Sequence, residues 1–266
     1  MSTAAQRWRV DLASWAIPDE ILAAAPESPW IHPVEMFVVG GTVPDSPSHQ
    51  RARDALGDHG SVLDIGCGGG RAALALVPQA TQLIGVDHQQ GMLDRFAEAA
   101  ARHGVPSDGI LGDWPEAADR TPSAEVVVCH HVLYNVADLP PFLHALTAHA
   151  RRRVVVEIPM LHPLSHMAPL WRDFWGLERP VRPTAHDALA VARDAGIDAR
   201  IDVWDDQPFT SRTSITAAQQ AHFMRVRLCL PAEREADVAA ALEFYGSEGP
   251  RQTATIWWDV TDDRRD

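Results

Sequence analysis

VLDIGCGGGR, residues 62–71, runs from three aliphatic residues and an aspartate into a loop holding Gly66, Gly68, Gly69 and Gly70. A simple turn needs one or two glycines; four in five positions leave backbone bare enough for a ligand to approach it closely. The pattern around the loop places it. From residue 50 to about 205, apolar β-type runs (SVLDIG, QLIGVD, GILGD, AEVVVCHHVL, RRRVVVEIP, ARIDVW) alternate with alanine-rich helical stretches (RAALALV, GMLDRFAEAAARHG, LPPFLHALTAHA, TAHDALAVARDAG). Continuous apolar strands separated by helices predict an α/β fold, a doubly wound and mostly parallel sheet buried on both faces, with the loop at the carboxyl end of its first strand.

The rest of the chain extends this frame. Residues 1–50 are rich in proline and tryptophan and read as a cap, and 51–260 read as one domain. Within that domain, 159–183 (beginning PMLHPLSHMAPLWRDFW) is an insertion after the fifth strand, and 211–248 is a helical insertion before the last strand, TATIWWDV; 261–266 reads as a tail. The formal charge of -13, from 23 basic and 36 acidic residues, opposes nucleic acid and anionic membrane surfaces as partners. All the basic residues are arginine, which excludes Schiff-base chemistry, a lysine base and a phosphate-loop lysine. Cys67, Cys129 and Cys229 are far apart and form neither a zinc pattern nor a disulfide framework, and no stretch has the length of a signal h-region or a membrane span. A cytoplasmic protein is the expectation.

The loop discriminates between cofactors. A dinucleotide fingerprint, G-x-G-x-x-G counted from Gly66, requires a glycine where Arg71 stands. What fits is D-x-G-x-G-x-G, written by Asp64, Gly66, Gly68 and Gly70, with Cys67 inside it. A carboxylate there suits a cationic ligand better than a pyrophosphate.

This motif resembles the first motif of the class I S-adenosylmethionine-dependent methyltransferases, and the similarity continues over roughly residues 55–205. GVDHQQGML is similar to the second motif, with Asp87 at the end of the second strand, 23 residues after Asp64. LGDWPE is similar to the third, and CHHVLYNV to the segment after the fourth strand in the small-molecule, type 11 branch. The resemblance implies a seven-stranded Rossmann-like methyltransferase fold and S-adenosylmethionine as cofactor, with S-adenosylhomocysteine as product. It implies that Asp64 lies near the amino end of the cofactor and that Asp87 holds the ribose diol, a carboxylate being able to accept from both hydroxyls. His88 and Met92 are then placed beside the adenine, Asp113 at its amino group, Trp114 over the ring, and Cys129 at the end of the fourth strand.

Methyl transfer from a sulfonium is an in-line displacement, so alignment and desolvation carry it, with a base added where the acceptor must lose a proton. His131, just after the fourth strand, is the candidate base, set against a reading in which it merely packs beside the cofactor. Candidate acceptor contacts come from the cap (Trp30, His32, with Met36 and Phe37) and the insertion (His162, His166, Trp171, Trp175). His162 and His166 are four apart, but Pro163 between them and the lack of a nearby carboxylate argue against a metal site. Trp171 and Trp175 have the spacing of core or lid residues as much as of a stacking platform. The Asn-Pro-Pro-aromatic signature of base methylation and the acidic cluster of metal-dependent catechol enzymes are both missing. The expected function is metal-independent O- or N-methylation of a small molecule, as a monomer or homodimer. The alternatives are a non-catalytic S-adenosylmethionine-binding protein and an NAD(P)-dependent oxidoreductase.

Overall fold

The computed structural model describes residues 2–30, 45–206, 216–245 and 251–260. Seven strands form one sheet: β1 (Gly60–Ile65), β2 (Ala80–Asp87), β3 (Ser107–Leu111), β4 (Ala124–His130), β5 (Ala150–Pro159), β6 (Arg200–Asp206) and β7 (Arg251–Asp259), in the order β3-β2-β1-β4-β5-β7-β6. The first five run parallel, and β7 inserts antiparallel between β5 and β6. Strand order reverses between β1 and β4, which makes the carboxyl ends of those two strands the crevice where ligands bind in open α/β sheets.

Side-chain alternation divides β4 between two cores. Val126 and Val128 join Ala52 and Leu56 of helix α3 (Pro47–Leu56) and Phe96 of α5 (Gln90–Arg102). Val127 and Cys129 face the opposite core, with Phe142 and Leu143 of α6 (Leu139–His149) and Ala188 and Val191 of α8 (Ala185–Asp194). Each helix has local reasons to form. In α5, Leu93, Phe96, Ala99 and Ala100 recur at helical spacing on one buried face. Prolines occupy the first turn of α6, where no N–H partner is needed, and Thr184 with Asp187 closes a capping box on α8.

The stretch RAALALV contains a shorter helix than its alanine content predicts. Helix α4 spans only Arg71–Leu74, after which Leu76 and Val77 donate to the carbonyls three residues back and Pro78 removes the next donor.

The cap is built in two parts. Helix α1 (Ala4–Ala13) lies on the main core through Trp8, which is fully buried and donates from Nε1 to the Val136 carbonyl at 2.8 Å. Ile17 and Ile21, at and inside α2 (Asp19–Ala23), join a third cluster with Met167, Leu170 and Trp171 around α7 (Ala168–Trp175). Met224 of α9 (Ala217–Arg227) and Val238 of α10 (Glu235–Tyr245) complete it. Cap and insertions thus share one apolar layer beyond the carboxyl end of β5. No helix among the described residues is long and apolar enough to cross a membrane.

Candidate functional site

The glycine loop is held in place by its backbone and by Asp87. Gly66 and Cys67 both donate to the Val86 carbonyl, at 2.8 and 3.1 Å. Gly68 N–H donates to Asp87 Oδ2 at 3.0 Å, and Gln89 N–H donates to Oδ1 of the same carboxylate at 3.0 Å. Glycine is required for two different reasons. A Cβ on Gly66, whose φ is +69°, would lie 2.5 Å from Val132 Cγ2, and one on Gly70, φ +87°, would lie 2.9 Å from Phe96 Cδ2. Gly66 is exposed and Gly68 half-buried, so the loop offers open backbone along its upper side.

Asp64 lies beneath the loop. It is 1% exposed and its Oδ2 accepts from Ala73 N–H at 3.2 Å. Burial, reinforced by the nearby Asp87 charge, pushes its carboxyl up to about 7. A carboxyl that titrates higher in the folded than in the unfolded chain makes the folded state the stronger proton binder. Its contribution is therefore full below about pH 4 and lost as pH rises toward 7, on the order of 4 kcal/mol across that window. Asp64→Asn, whose amide oxygen still accepts from Ala73, is expected to gain stability relative to the parent between pH 5 and pH 8. Urea denaturation at the two pH values measures this, and a pH-independent difference would contradict it.

Next to the loop, the carboxyl ends of β4, β5 and β7 present a polar row. His130 pairs with Glu157 in the sheet register and Glu157 with Thr255. The alternation that sends Val126 and Val128 toward α3 sends His130 there too, beneath Ser46, Ser48 and His49 of the α3 N-terminus. Ser46 Oγ donates to Glu157 Oε2 at 2.9 Å and lies 3.1 Å from His49 Nδ1, while the Ser48 and Thr255 hydroxyls are 2.7 Å apart.

His131 curls back onto the same glutamate: its N–H donates to the Glu157 carbonyl at 2.8 Å and its Nε2 to Oε1 at 3.1 Å. This requires a φ of +61°, costing a non-glycine residue on the order of 1 kcal/mol, which persists because two contacts to one residue over-determine it. Burial would push the Glu157 carboxyl up, but the His130 and His131 imidazoles and the serine hydroxyls facing it hold it well below the usual carboxylate range. Burial pushes His130 down to about 3 and lowers His49. At neutral pH the row thus holds one negative charge and two neutral rings. His131, 42% exposed in its side chain, is the member open to a ligand.

The other sequence candidates fall into three groups. Asp113 and His88 are exposed at the carboxyl ends of β3 and β2, near Met92 on α5, and are open to a ligand. Cys67 and Cys129 are buried with side chains in the two cores, so only their backbones can touch a cofactor. Trp114 sits partly buried on α6, with Nε1 donating to the Phe142 carbonyl at 3.4 Å and its ring edge-on to His149, which directs it into helix packing.

Among the acceptor candidates, Trp30 is half exposed and His32, Met36 and Phe37 lie outside the described residues. His162 is buried in a stack, 3.9 Å from the Trp15 ring centroid, with burial pushing it down to about 4. His166 turns its Nδ1 toward the Pro163 carbonyl at 2.8 Å and is likewise lowered, to about 3. Trp171 is core, and Trp175 Nε1 donates to the Leu228 carbonyl at 2.7 Å, tying α7 to the end of α9. Among the described residues no group of three or more His, Cys, Asp or Glu is arranged to hold a metal. Glu157, Ser46 and His49 did not stand out from sequence. Their one signal is the single charge interrupting the apolar run VVVEIP.

A bare glycine loop at the switch point, an aspartate closing it and a histidine–glutamate pair beside it form the arrangement in which doubly wound domains bind cofactors. Residues 62–153 match the family described as "Methyltransferase domain". An uncharacterized protein of Haemophilus influenzae is 34% identical over 95 residues, 35% of either chain. The ubiquinone biosynthesis O-methyltransferase of Azorhizobium caulinodans is 35% identical over 82 residues, 31% of this chain and 32% of that one. The match thus spans about a third of the length of these curated relatives. Among solved structures, coclaurine N-methyltransferase bound to N-methylheliamine and S-adenosylhomocysteine shares the fold, with a TM-score of 0.52 at 14% identity over 96% of this chain and 85% of that one.

Proposed function

We propose that this chain transfers a methyl group from S-adenosylmethionine to the oxygen or nitrogen of a small organic acceptor without a metal ion. The observation that carries this reading is the glycine loop anchored to Asp87 within a segment matching the methyltransferase domain. The residues suit the cofactor. The bare backbone at Gly66 and Gly68 leaves room for its methionine portion, Asp113 is free to meet the adenine amino group, and Asp87 retains acceptor capacity for a ribose diol beyond the two N–H groups it already binds. When bound beside this loop, S-adenosylmethionine would supply an electrophilic methyl group on a sulfonium, with a neutral thioether as the leaving group when the acceptor's oxygen or nitrogen takes it.

The chain's own residues orient the acceptor and take its proton. Glu157 holds the Nε2–H of His131, which leaves Nδ1 as the lone-pair nitrogen to accept a proton, and the Glu157 carboxylate stabilises the imidazolium that results. The test is transfer of tritium from S-adenosyl-[methyl-³H]methionine to a panel of phenols, carboxylic acids and amines. Label incorporated into at least one acceptor, with S-adenosylhomocysteine formed in equal amount, is the expected outcome. Tight binding of the cofactor with no transfer to any acceptor would instead favour a non-catalytic binding protein.

A further inference from the structure

The Glu157 carboxylate is held at both oxygens. Oε1 accepts from His131 Nε2 at 3.1 Å, and Oε2 accepts from Ser46 Oγ at 2.9 Å. The His131 backbone is fixed by its own bond to the Glu157 carbonyl, so the direction of the exposed ring depends on where Oε1 points. A carboxylate held by one oxygen turns easily about its last side-chain torsion, which has broad wells; a second bond on the other oxygen stops that rotation.

Ser46 is itself a fixed point. It caps α3 from extended backbone, its carbonyl accepting from Gln50 N–H at 3.1 Å and its Oγ from His49 N–H at 3.4 Å. Its N–H donates to Asp45 Oδ1 at 3.0 Å, Arg53 pairs with the same oxygen at 2.7 Å, and Ala52 and Leu56 bury the helix against the sheet. The hydroxyl has one proton and a carboxylate can only accept, so that proton goes to Glu157. His49 Nδ1, 3.1 Å from the same Oγ, must then be the donor. This makes His49 the neutral Nδ1–H tautomer and leaves its lone pair on Nε2, the buried ring nitrogen that has no partner among the described residues. The chain thus has one direction: His49 donates to Ser46, Ser46 donates to Glu157, and the other Glu157 oxygen takes the Nε2–H of His131. Ser48 faces the same carboxylate, but its hydroxyl is shared with that of Thr255 at 2.7 Å.

We propose that Ser46 is a positioning residue of the methyl-transfer site: from the cap of α3, its hydroxyl aimed by His49, it holds Glu157 so that His131 keeps Nδ1 toward the acceptor. This deepens the methyltransferase reading, and its effect on turnover rests on that reading; its hold on the His131 ring does not.

The experiment measures the exchange with water of the His131 Nε2 proton, by NMR on the full chain isotope-labelled at its histidine nitrogens, with the signal assigned by its loss in His131→Ala. Ser46→Gly removes the hydroxyl but leaves a residue that caps helices nearly as well as serine, so α3 is expected to keep its amide protection. Exchange is expected to rise at least about tenfold in Ser46→Gly, as the bond to Glu157 opens more often, and to stay within about twofold of the parent in Ser46→Thr, which keeps hydroxyl and cap. If Ser46→Gly fails to fold, Ser46→Cys, similar in size and a weak donor, makes the same comparison. A rate in either variant within about twofold of the parent, or a ring proton that already exchanges freely in the parent, would overturn the proposal. On the acceptor best labelled in the tritium screen, Ser46→Gly is expected to lower kcat at least about tenfold with S-adenosylhomocysteine affinity unchanged, and to cost less than about twofold more once Glu157 is replaced by Gln, because it acts through that carboxylate. Additive losses would also overturn it. If the ring proton responds as expected and no acceptor is labelled, the hold of Ser46 on His131 stands and the methyltransferase reading fails.

Discussion

Asp87→Ala is expected to lower the affinity for S-adenosylmethionine and S-adenosylhomocysteine by at least about 100-fold, the largest single loss in the protein. Two functions converge on this carboxylate. It closes the glycine loop by accepting from Gly68 N–H and fixes the start of α5 by accepting from Gln89 N–H. In the proposed complex its remaining lone pairs take the ribose hydroxyls. A hydrogen bond to a charged group contributes roughly 1.5–3 kcal/mol, and about 1.4 kcal/mol is tenfold in affinity, so losing two such bonds and the loop anchor accounts for the expected drop. Asp87→Asn is expected to fall nearly as far although its shape is preserved. Whichever way the amide is turned, its NH2 must face one of the two N–H donors. Calorimetric titration of both variants checks this; an Asn variant within about threefold of the parent would show that the charge and both acceptors are dispensable.

The second large effect is on turnover. His131→Ala is expected to reduce methyl transfer about 10²- to 10⁴-fold, the range for loss of a general base, with S-adenosylhomocysteine affinity unchanged. Glu157→Gln is expected to cost about 10²-fold through the orientation and charge stabilisation of His131, without any direct contact to the acceptor. The geometry separates the two roles. His131 presents an exposed ring, whereas Glu157 is 5% exposed and reaches the site only through the bond to His131 Nε2. Steady-state rates on the best acceptor of the tritium screen, with cofactor affinity measured in parallel, test both. Turnover within threefold of the parent for His131→Ala would leave alignment alone as the source of catalysis.

Much of this arrangement was legible in the sequence because it is written in local signals. Four glycines behind an apolar strand, an aspartate at the end of the next strand and continuous valine runs each have few structural solutions, and the sheet order places them together at the switch point. The partner of His131 was not legible because the contact is made by register: Glu157 lies opposite His130 only once β4 and β5 are paired. Ser46, Ser48 and His49 were obscured by a different cause, since the proline-rich composition of residues 1–50 hides a helix that begins at Pro47 and covers the sheet. Cys129 shows what period-2 alternation could have added, since within β4 Val127 and Cys129 face the core of α6, away from the polar row. His162 is a tertiary effect. Its ring is sandwiched by Trp15 of the cap, more than 140 residues away in the chain, and sequence spacing carries no trace of that contact.

Whether the loop at 62–71 holds S-adenosylmethionine is decided by a thermal-shift titration. S-adenosylmethionine, S-adenosylhomocysteine and NADH are each added to the wild type and to Asp87→Ala. A ligand at about 100 times its dissociation constant stabilises by roughly 2.7 kcal/mol, which for a chain of this size raises Tm by several degrees. Both sulfur compounds are expected to protect the wild type, neither to protect Asp87→Ala, and NADH to protect neither protein. Protection by NADH alone, or equal protection of wild type and variant by S-adenosylhomocysteine, would contradict this assignment of the loop.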